Sequence, residues 1–235
     1  MDEHAVVPAE EWVSARMALL AREKEFTRLR DELARQRRDL PWEEVTTEYF
    51  FEGADGTRSL PQLFDGRSQL IVYHFMFPPD WDAGCPHCSF WADNFNGTME
   101  HLHARDITMV AVSRAPITKL AAYRDRMGWT FPWYSTPSIE FNHDFHVTFT
   151  PDELAAGTAV YNYGSTDPGM PDREGVSVFC ADGGRVFHTY SAYARGIDML
   201  NGAYHYMDLV PKGRDEGGHP GDPQFWVRRR DEYGG

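Results

Sequence analysis

The sequence predicts an α/β fold with a mixed sheet, preceded by one long helix, and three observations carry that prediction. Residues 70–77 and 107–112 are nearly unbroken apolar runs separated by a helical stretch, the pattern of two strands buried on both faces of a sheet. Residues 176–180 and 185–190 flank Ala181-Asp182-Gly183-Gly184 and read as a β-hairpin. Upstream, Trp12, Leu19, Phe26, Leu33 and Leu40 recur every seven residues with charge on the other faces.

Taken in order, the first element is the helix from Trp12 to Leu40, supported by charge pairs such as Asp31 with Arg35 and ended by Pro41. Its apolar stripe is too large to leave in water, so it packs on the domain that follows or pairs with a second subunit. Residues 47–51 form a short strand, 54–57 a turn and 60–64 a short helical or irregular link. The strand at 70–77 stops at Pro78 and Pro79, and a loop with Trp81 and Gly84 leads to Cys85-Pro86-His87-Cys88 and a helix over 89–104. After the strand at 107–112 come a helix over 116–128, an aromatic extended stretch at 129–135 and a Pro/Gly-punctuated region at 136–175. The hairpin follows, and residues 197–210 close as a helix. There is no internal repeat and no glycine-rich phosphate loop. The expected division is a helical extension at 1–44, a domain at 45–212 and a tail at 213–235.

Composition narrows the class. With 23 Lys plus Arg against 36 Asp plus Glu, the formal charge of the 235 residues is −13, which argues against nucleic acid and anionic membranes as partners. At 42% hydrophobic and 14% aromatic residues the chain is too apolar to be disordered. Met1-Asp2-Glu3-His4 begins no leader pattern, and no apolar run reaches the roughly 18 residues of a membrane span. A cytosolic location is expected, where structural disulfides are rare and cysteines are inert, metal-bound or redox-active.

Of the three cysteines, Cys85 and Cys88 form a C-x-x-C that follows a buried strand and opens a helix. Unpaired amides there favour the thiolate, which makes Cys85 the nucleophile and Cys88, one turn on, the resolving thiol. Pro86 pre-sets the helical φ, and His87, when protonated, adds positive charge that tunes the couple. A C-x-x-C is also half a zinc site, but the other cysteine, Cys180, belongs to the hairpin and reads as a strand residue. His101 and His103 point in different directions on a helix, whereas His143 and His146 lie in a loop where they could share an ion. Trp81, Pro86 and Trp133 are the candidate lining of an apolar substrate cleft. Arg114 and Arg195 are candidate sources of positive potential for the thiolate, with surface ion pairing as the default. Arg228-Arg229-Arg230 reads as a solvated or subunit-contacting tail.

The strand, the Cys-Pro-His-Cys and the following helix resemble the active-site unit of the thioredoxin superfamily. More closely, Tyr73 to Phe77 with Trp81-Asp82, Cys85 to Trp91, Val112 to Pro116, Gly128-Trp129, Phe131-Pro132-Trp133, Phe187 to Ser191 and Gly213 to Glu216 resemble an uncharacterised bacterial thioredoxin-like family of predicted dithiol-disulfide oxidoreductases. The resemblance spans nearly the whole chain and implies a thioredoxin-like fold in a peroxiredoxin-like variant. It implies a thiol-disulfide oxidoreductase with Cys85, Cys88 and His87 as catalytic residues, no cofactor, and a disulfide- or dithiol-bearing protein or small thiol as partner. Dimerisation would run through the N-terminal helix.

Two departures qualify that reading. Thioredoxins keep a cis-proline before the hairpin, where this chain has Arg173-Glu174-Gly175. Peroxiredoxins carry P-x-x-x-T-x-x-C; here Pro78 is seven residues before Cys85, but Asp82 holds the threonine position, where a carboxylate would raise the thiol's pKa. A peroxiredoxin-like thiol peroxidase is therefore the alternative enzyme. The non-enzymatic alternative is a copper- or zinc-binding protein using Cys85, Cys88 and His188, since thiolates with imidazole suit copper.

Overall fold

A computed structural model describes residues 4–164, 166–217 and 223–234. The acidic start Met1-Asp2-Glu3 lies outside the described residues. The chain divides into two compact units, Met1–Pro41 and Trp42–Gly235. The first contains α1 (Ala9–Arg38), with Glu10 and Glu11 in its first turn and Arg35, Arg37 and Arg38 in its last, charges that complement the helix dipole. Arg35 bridges Glu32 and Asp39, and no residue of α1 is buried.

The second unit holds eight strands and seven short helices among its described residues. The strands are β1 (Glu43–Glu44), β2 (Phe50–Gly53), β3 (Gly56–Ser59), β4 (Gln69–His74), β5 (Ile107–Ser113), β6 (Trp133–Ser135), β7 (Gly175–Asp182) and β8 (Arg185–Tyr193). The helices are α2 (Leu60–Leu63), α3 (Pro86–Ala92), α4 (Met99–His103), α5 (Ile117–Met127), α6 (Glu140–Asp144), α7 (Pro151–Ala156) and α8 (Gly202–Met207). One sheet runs β1-β8-β7-β4-β5-β6-β2-β3, with β4, β5 and β6 parallel and β7 antiparallel to β4. The β7–β8 hairpin turns on Gly183 and Gly184, both at positive φ, as a two-residue turn matched to the strand twist requires.

The apolar runs are central strands, as their composition predicts, and period-2 alternation sends their side chains into two cores. Ile71, Tyr73, Met109 and Ala111 join the core that contains the cysteines, while Leu70, Val72, Val110 and Val112 pack against Phe141, Phe145 and Phe179 on the other face. His74 follows Val72 into that second layer. There its Nε2 lies 2.9 Å from Ser177 Oγ and its Nδ1 lies 3.3 Å from Asn142 Oδ1. Ser177 continues to Ser191 Oγ at 2.9 Å and on to His188 Nε2 at 2.8 Å, a polar chain crossing β4, β7 and β8. Because Asn142 Oδ1 only accepts, the His74 proton sits on Nδ1 and Ser177 donates to Nε2.

Several elements differ from expectation. The strand stops at His74; Phe75 donates one more ladder bond to Val112, and the chain then leaves the sheet. The helix expected over 89–104 is α3, a 3-10 turn (Asn96–Thr98) and α4, because the Asn94 side chain donates to the Phe90 and Trp91 carbonyls and ends α3. Within 136–175 two helices form, and His143 sits on α6 rather than in a loop. The closing helix is limited to α8, preceded by a 3-10 stretch (Ala194–Leu200).

α7 begins in a capping box: Glu153 N–H donates to Thr150 Oγ1, and Thr150 N–H donates to Glu153 Oε2. Thr150→Ala is expected to cost about 1 kcal/mol in urea unfolding, and an unchanged midpoint would show the box contributes nothing.

Candidate active site

The cysteine loop is held by backbone before any side chain acts. The Phe77 carbonyl accepts from Ala115 N–H, and the Met76 carbonyl accepts from Cys85 N–H at 3.0 Å, so the loop folds back onto the segment leaving β4. Cys85 is the N-cap of α3 with Pro86 in its first turn, and Cys88 lies one turn inside. Both thiols are free and buried, and Met76 N–H donates to Cys88 Sγ at 3.4 Å. Ser89 Oγ donates to the Cys85 carbonyl at 2.8 Å and lies 2.8 Å from the Tyr123 hydroxyl.

The two thiols are electrostatically unlike. A hydrogen bond from the Cys88 thiol, opposed by burial and reinforced by His87, holds Cys85 well below the usual thiol range. Burial, the Cys85 charge and Glu174 push Cys88 up. The charged form is thus favoured at Cys85 and disfavoured at Cys88. Asp82 is exposed, and Cys85 is lowered rather than raised; the carboxylate among the causes at Cys88 is Glu174.

The pair lines a cavity of about 890 Å³, together with Tyr73, Trp81, Pro86, Trp91, Met170, Arg173, Glu174 and Tyr204. Trp81 and Pro86, expected in a cleft, are among these lining residues. Trp133 does not: it is buried, donates to Ser113 Oγ at 3.0 Å and packs on Phe75, so it belongs to the core beneath the loop. Among the described residues, Arg173 Nε, a buried polar atom on a cavity residue, has no hydrogen-bond partner, and the buried Tyr73 hydroxyl meets only the Cys88 sulfur. Burial, with the nearby cysteines and Glu174, raises the Tyr73 phenol well above its usual range, so it stays protonated and able to donate. Glu174 occupies the segment where a cis-proline was the reference. No cis peptide occurs among the described residues, and the Tyr161 hydroxyl fixes this segment from 2.9 Å at the Glu174 carbonyl.

Other candidates fall elsewhere. Arg195 lines the cavity but is exposed and paired with Asp198, and Arg114 pairs with Asp172 at 2.9 Å. His188 lines a separate cavity of about 390 Å³, with its Nδ1 3.5 Å from Glu43 and its Nε2 on Ser191. Cys85, Cys88 and His188 therefore form no common site, and no group of three metal-ligating side chains occurs among the described residues. His143 meets Glu153 at 2.9 Å instead of His146. Cys180 is half-buried near the far end of β7, opposite Gln69 and Phe187.

The tail corrects a further reading. Arg229 is not solvated: its Nε and Nη2 donate to the Gly84 carbonyl at 3.0 and 2.8 Å, and its Nη1 pairs with Glu232. Arg230 pairs with Asp93 at 3.4 Å, and Trp226 packs edge-on against Phe90. Nothing local in the sequence marks Arg229 as a partner of the cysteine loop. Tyr73 was legible only as core, and Glu174 only as a missing proline.

Comparison with solved structures shows what this arrangement is similar to. Peroxiredoxin Q of Xanthomonas campestris aligns at a TM-score of 0.50 and 12% identity, over 72% of this chain and 98% of that one. Peroxidoxin BcpB of Mycobacterium tuberculosis aligns at a TM-score of 0.48 and 15% identity, over 68% and 93%. The first likeness shows the fold, a thioredoxin-like α/β fold of the peroxiredoxin type. No described helix is long and apolar enough to cross a membrane. No curated protein matches the chain. The model of DUF899, described as a bacterial protein of unknown function, matches residues 1–233, and the chain belongs to that family.

Proposed function

We propose that the protein is a thiol-disulfide oxidoreductase in which Cys85 attacks and Cys88 resolves. The observation that carries this reading is the placement of the pair: Cys85 caps α3, Cys88 lies one turn inside it, both thiols are free and line the cavity, and their surroundings favour the thiolate at Cys85 and the thiol at Cys88. In the first step the Cys85 sulfur attacks one sulfur of a substrate disulfide, forms a mixed disulfide and expels the other half as thiolate. Cys88 then loses its proton and attacks the Cys85 sulfur, expelling the second thiolate. Two electrons pass to the substrate, and Cys85 and Cys88 are left as a disulfide. The cavity, at about 890 Å³, accepts more than the two sulfurs and fits a small disulfide or a peptide segment bearing one.

The test is differential alkylation and mass spectrometry across a redox titration, with two variants. The expected result is a reversible Cys85–Cys88 disulfide, loss of exchange in Cys85→Ser and a trapped mixed disulfide in Cys88→Ser. Exchange in Cys85→Ser at the wild-type rate would sink the mechanism.

A second reading is favoured by the peroxiredoxin-type fold. Cys85 would attack a peroxide O–O bond, becoming a sulfenic acid while the other oxygen leaves as water or alcohol. Cys88 would then condense with it, releasing water. Micromolar peroxide consuming the Cys85 thiol one-for-one within seconds would select this reading; inertness at millimolar peroxide would remove it.

A further inference from the structure

Within its own unit, the seven-residue recurrence on α1 is not buried. Trp12, Leu19, Phe26 and Leu29 are each more than half exposed, at 58, 55, 66 and 55%, and no residue of the helix is buried. A straight α-helix drifts about 20° per heptad, so a stripe that repeats every seven residues stays on one line only when the helix supercoils around another. With Trp12, Leu19, Phe26 and Leu33 as the first core position, the second is Ala15, Arg22, Leu29 and Gln36. Arg22 carries its charge outward to Glu25, 3.2 Å away.

The flanking charges then choose the partner and its direction. The flank preceding each first core position is Glu11, Ala18, Glu25 and Glu32; the flank following the second is Arg16, Glu23, Arg30 and Arg37. In a parallel pair each residue of the first flank meets the residue five positions later on the other helix. Glu11 then meets the partner's Arg16, Glu25 the partner's Arg30, and Glu32 the partner's Arg37, with no like-charge pair. In an antiparallel pair each flank meets its own kind, acid against acid and mostly arginine against arginine. We propose that α1 is the docking surface for a second copy of this chain, joined as a parallel, in-register two-stranded coiled coil. The charges of α1 complement themselves in that one direction, which a surface built for an unrelated partner does not require.

The test uses the full chain in sedimentation equilibrium, with far-UV circular dichroism as the check that the helix persists. Wild type is expected to be a dimer, and Phe26→Glu a monomer. Arg30→Glu is expected to weaken the dimer about tenfold by setting it against Glu25, and the double variant Glu25→Arg with Arg30→Glu to restore it. In an antiparallel pair Arg30→Glu would tighten the dimer instead. Tightening, a larger assembly, a wild-type monomer at tens of micromolar, or a dimer indifferent to Phe26→Glu each overturns the proposal.

Discussion

Gly84→Ala is expected to destabilise the protein by about 2–3 kcal/mol and to disturb the Cys85 thiolate with it. A Cβ on Gly84 would stand 2.7 Å from Phe75 Cε1 and 2.9 Å from Tyr123 Cε1, closer than real Cβ contacts come. Neither ring can give way cheaply: both are buried, Phe75 is wedged against Trp129 and Trp133, and Tyr123 holds Ser89 through its hydroxyl. The Gly84 carbonyl is also the atom Arg229 grips, so moving Gly84 strains that clamp. Urea unfolding measures the loss, and the thiolate absorbance near 240 nm, followed against pH, measures the disturbance at Cys85. Gly97→Ala is the control, since nothing lies within 4 Å of its Cβ, and it should stay within about 0.5 kcal/mol of wild type. Equal behaviour of the two variants would mean that the loop is not held as described.

His74 should make the fold sensitive to mild acid. Burial, assisted by the nearby His188, lowers its pKa to about 4 despite the bond to Asn142. An unfolded histidine titrates near 6.5, so between pH 6.5 and 4 the unfolded chain binds a proton that the folded chain refuses. Stability from this group is therefore complete above pH 6.5, falls as pH drops towards 4 and then levels off. From pH 7 to 4.5 the loss attributable to His74 is about 2.5 kcal/mol. Urea unfolding of wild type and His74→Gln at both pH values isolates it, because every carboxylate contributes equally to the two proteins. The difference between pH 7 and 4.5 should be smaller in the variant by that amount, and parallel profiles would exclude His74 as the cause.

What could be read from the chain alone was what local pattern encodes. The two-sided burial of β4 and β5 follows from their uninterrupted apolar composition, and the hairpin from Gly183-Gly184. The start of α3 just after Cys85 follows from Pro86. What escaped depends on partners distant in sequence. The break after α3 is set by Asn94, whose Oδ1 also accepts from Gly202 N–H, so the helix ends where another part of the chain arrives. Trp133 had the composition of a cleft residue, yet its indole N–H finds Ser113 and its ring is sealed beneath the loop. Asp82 had a position in a motif, yet it is exposed, and the Cys85 thiol it was expected to raise is lowered instead. Arg229 lay in a basic run indistinguishable from a solvated tail until its guanidinium met the Gly84 carbonyl.

The neighbours Tyr73 and His74 also set how β4 tolerates change. One faces the cysteines with a phenol that stays protonated; the other faces the opposite core with an imidazole that stays neutral there. Losing or gaining one residue between Gln69 and His74 would exchange them, placing a basic ring beside the Cys85 thiolate and a hydroxyl among Phe141 and Phe145. Point substitutions along β4 can be graded, but a single-codon insertion or deletion there is all-or-none for both layers at once.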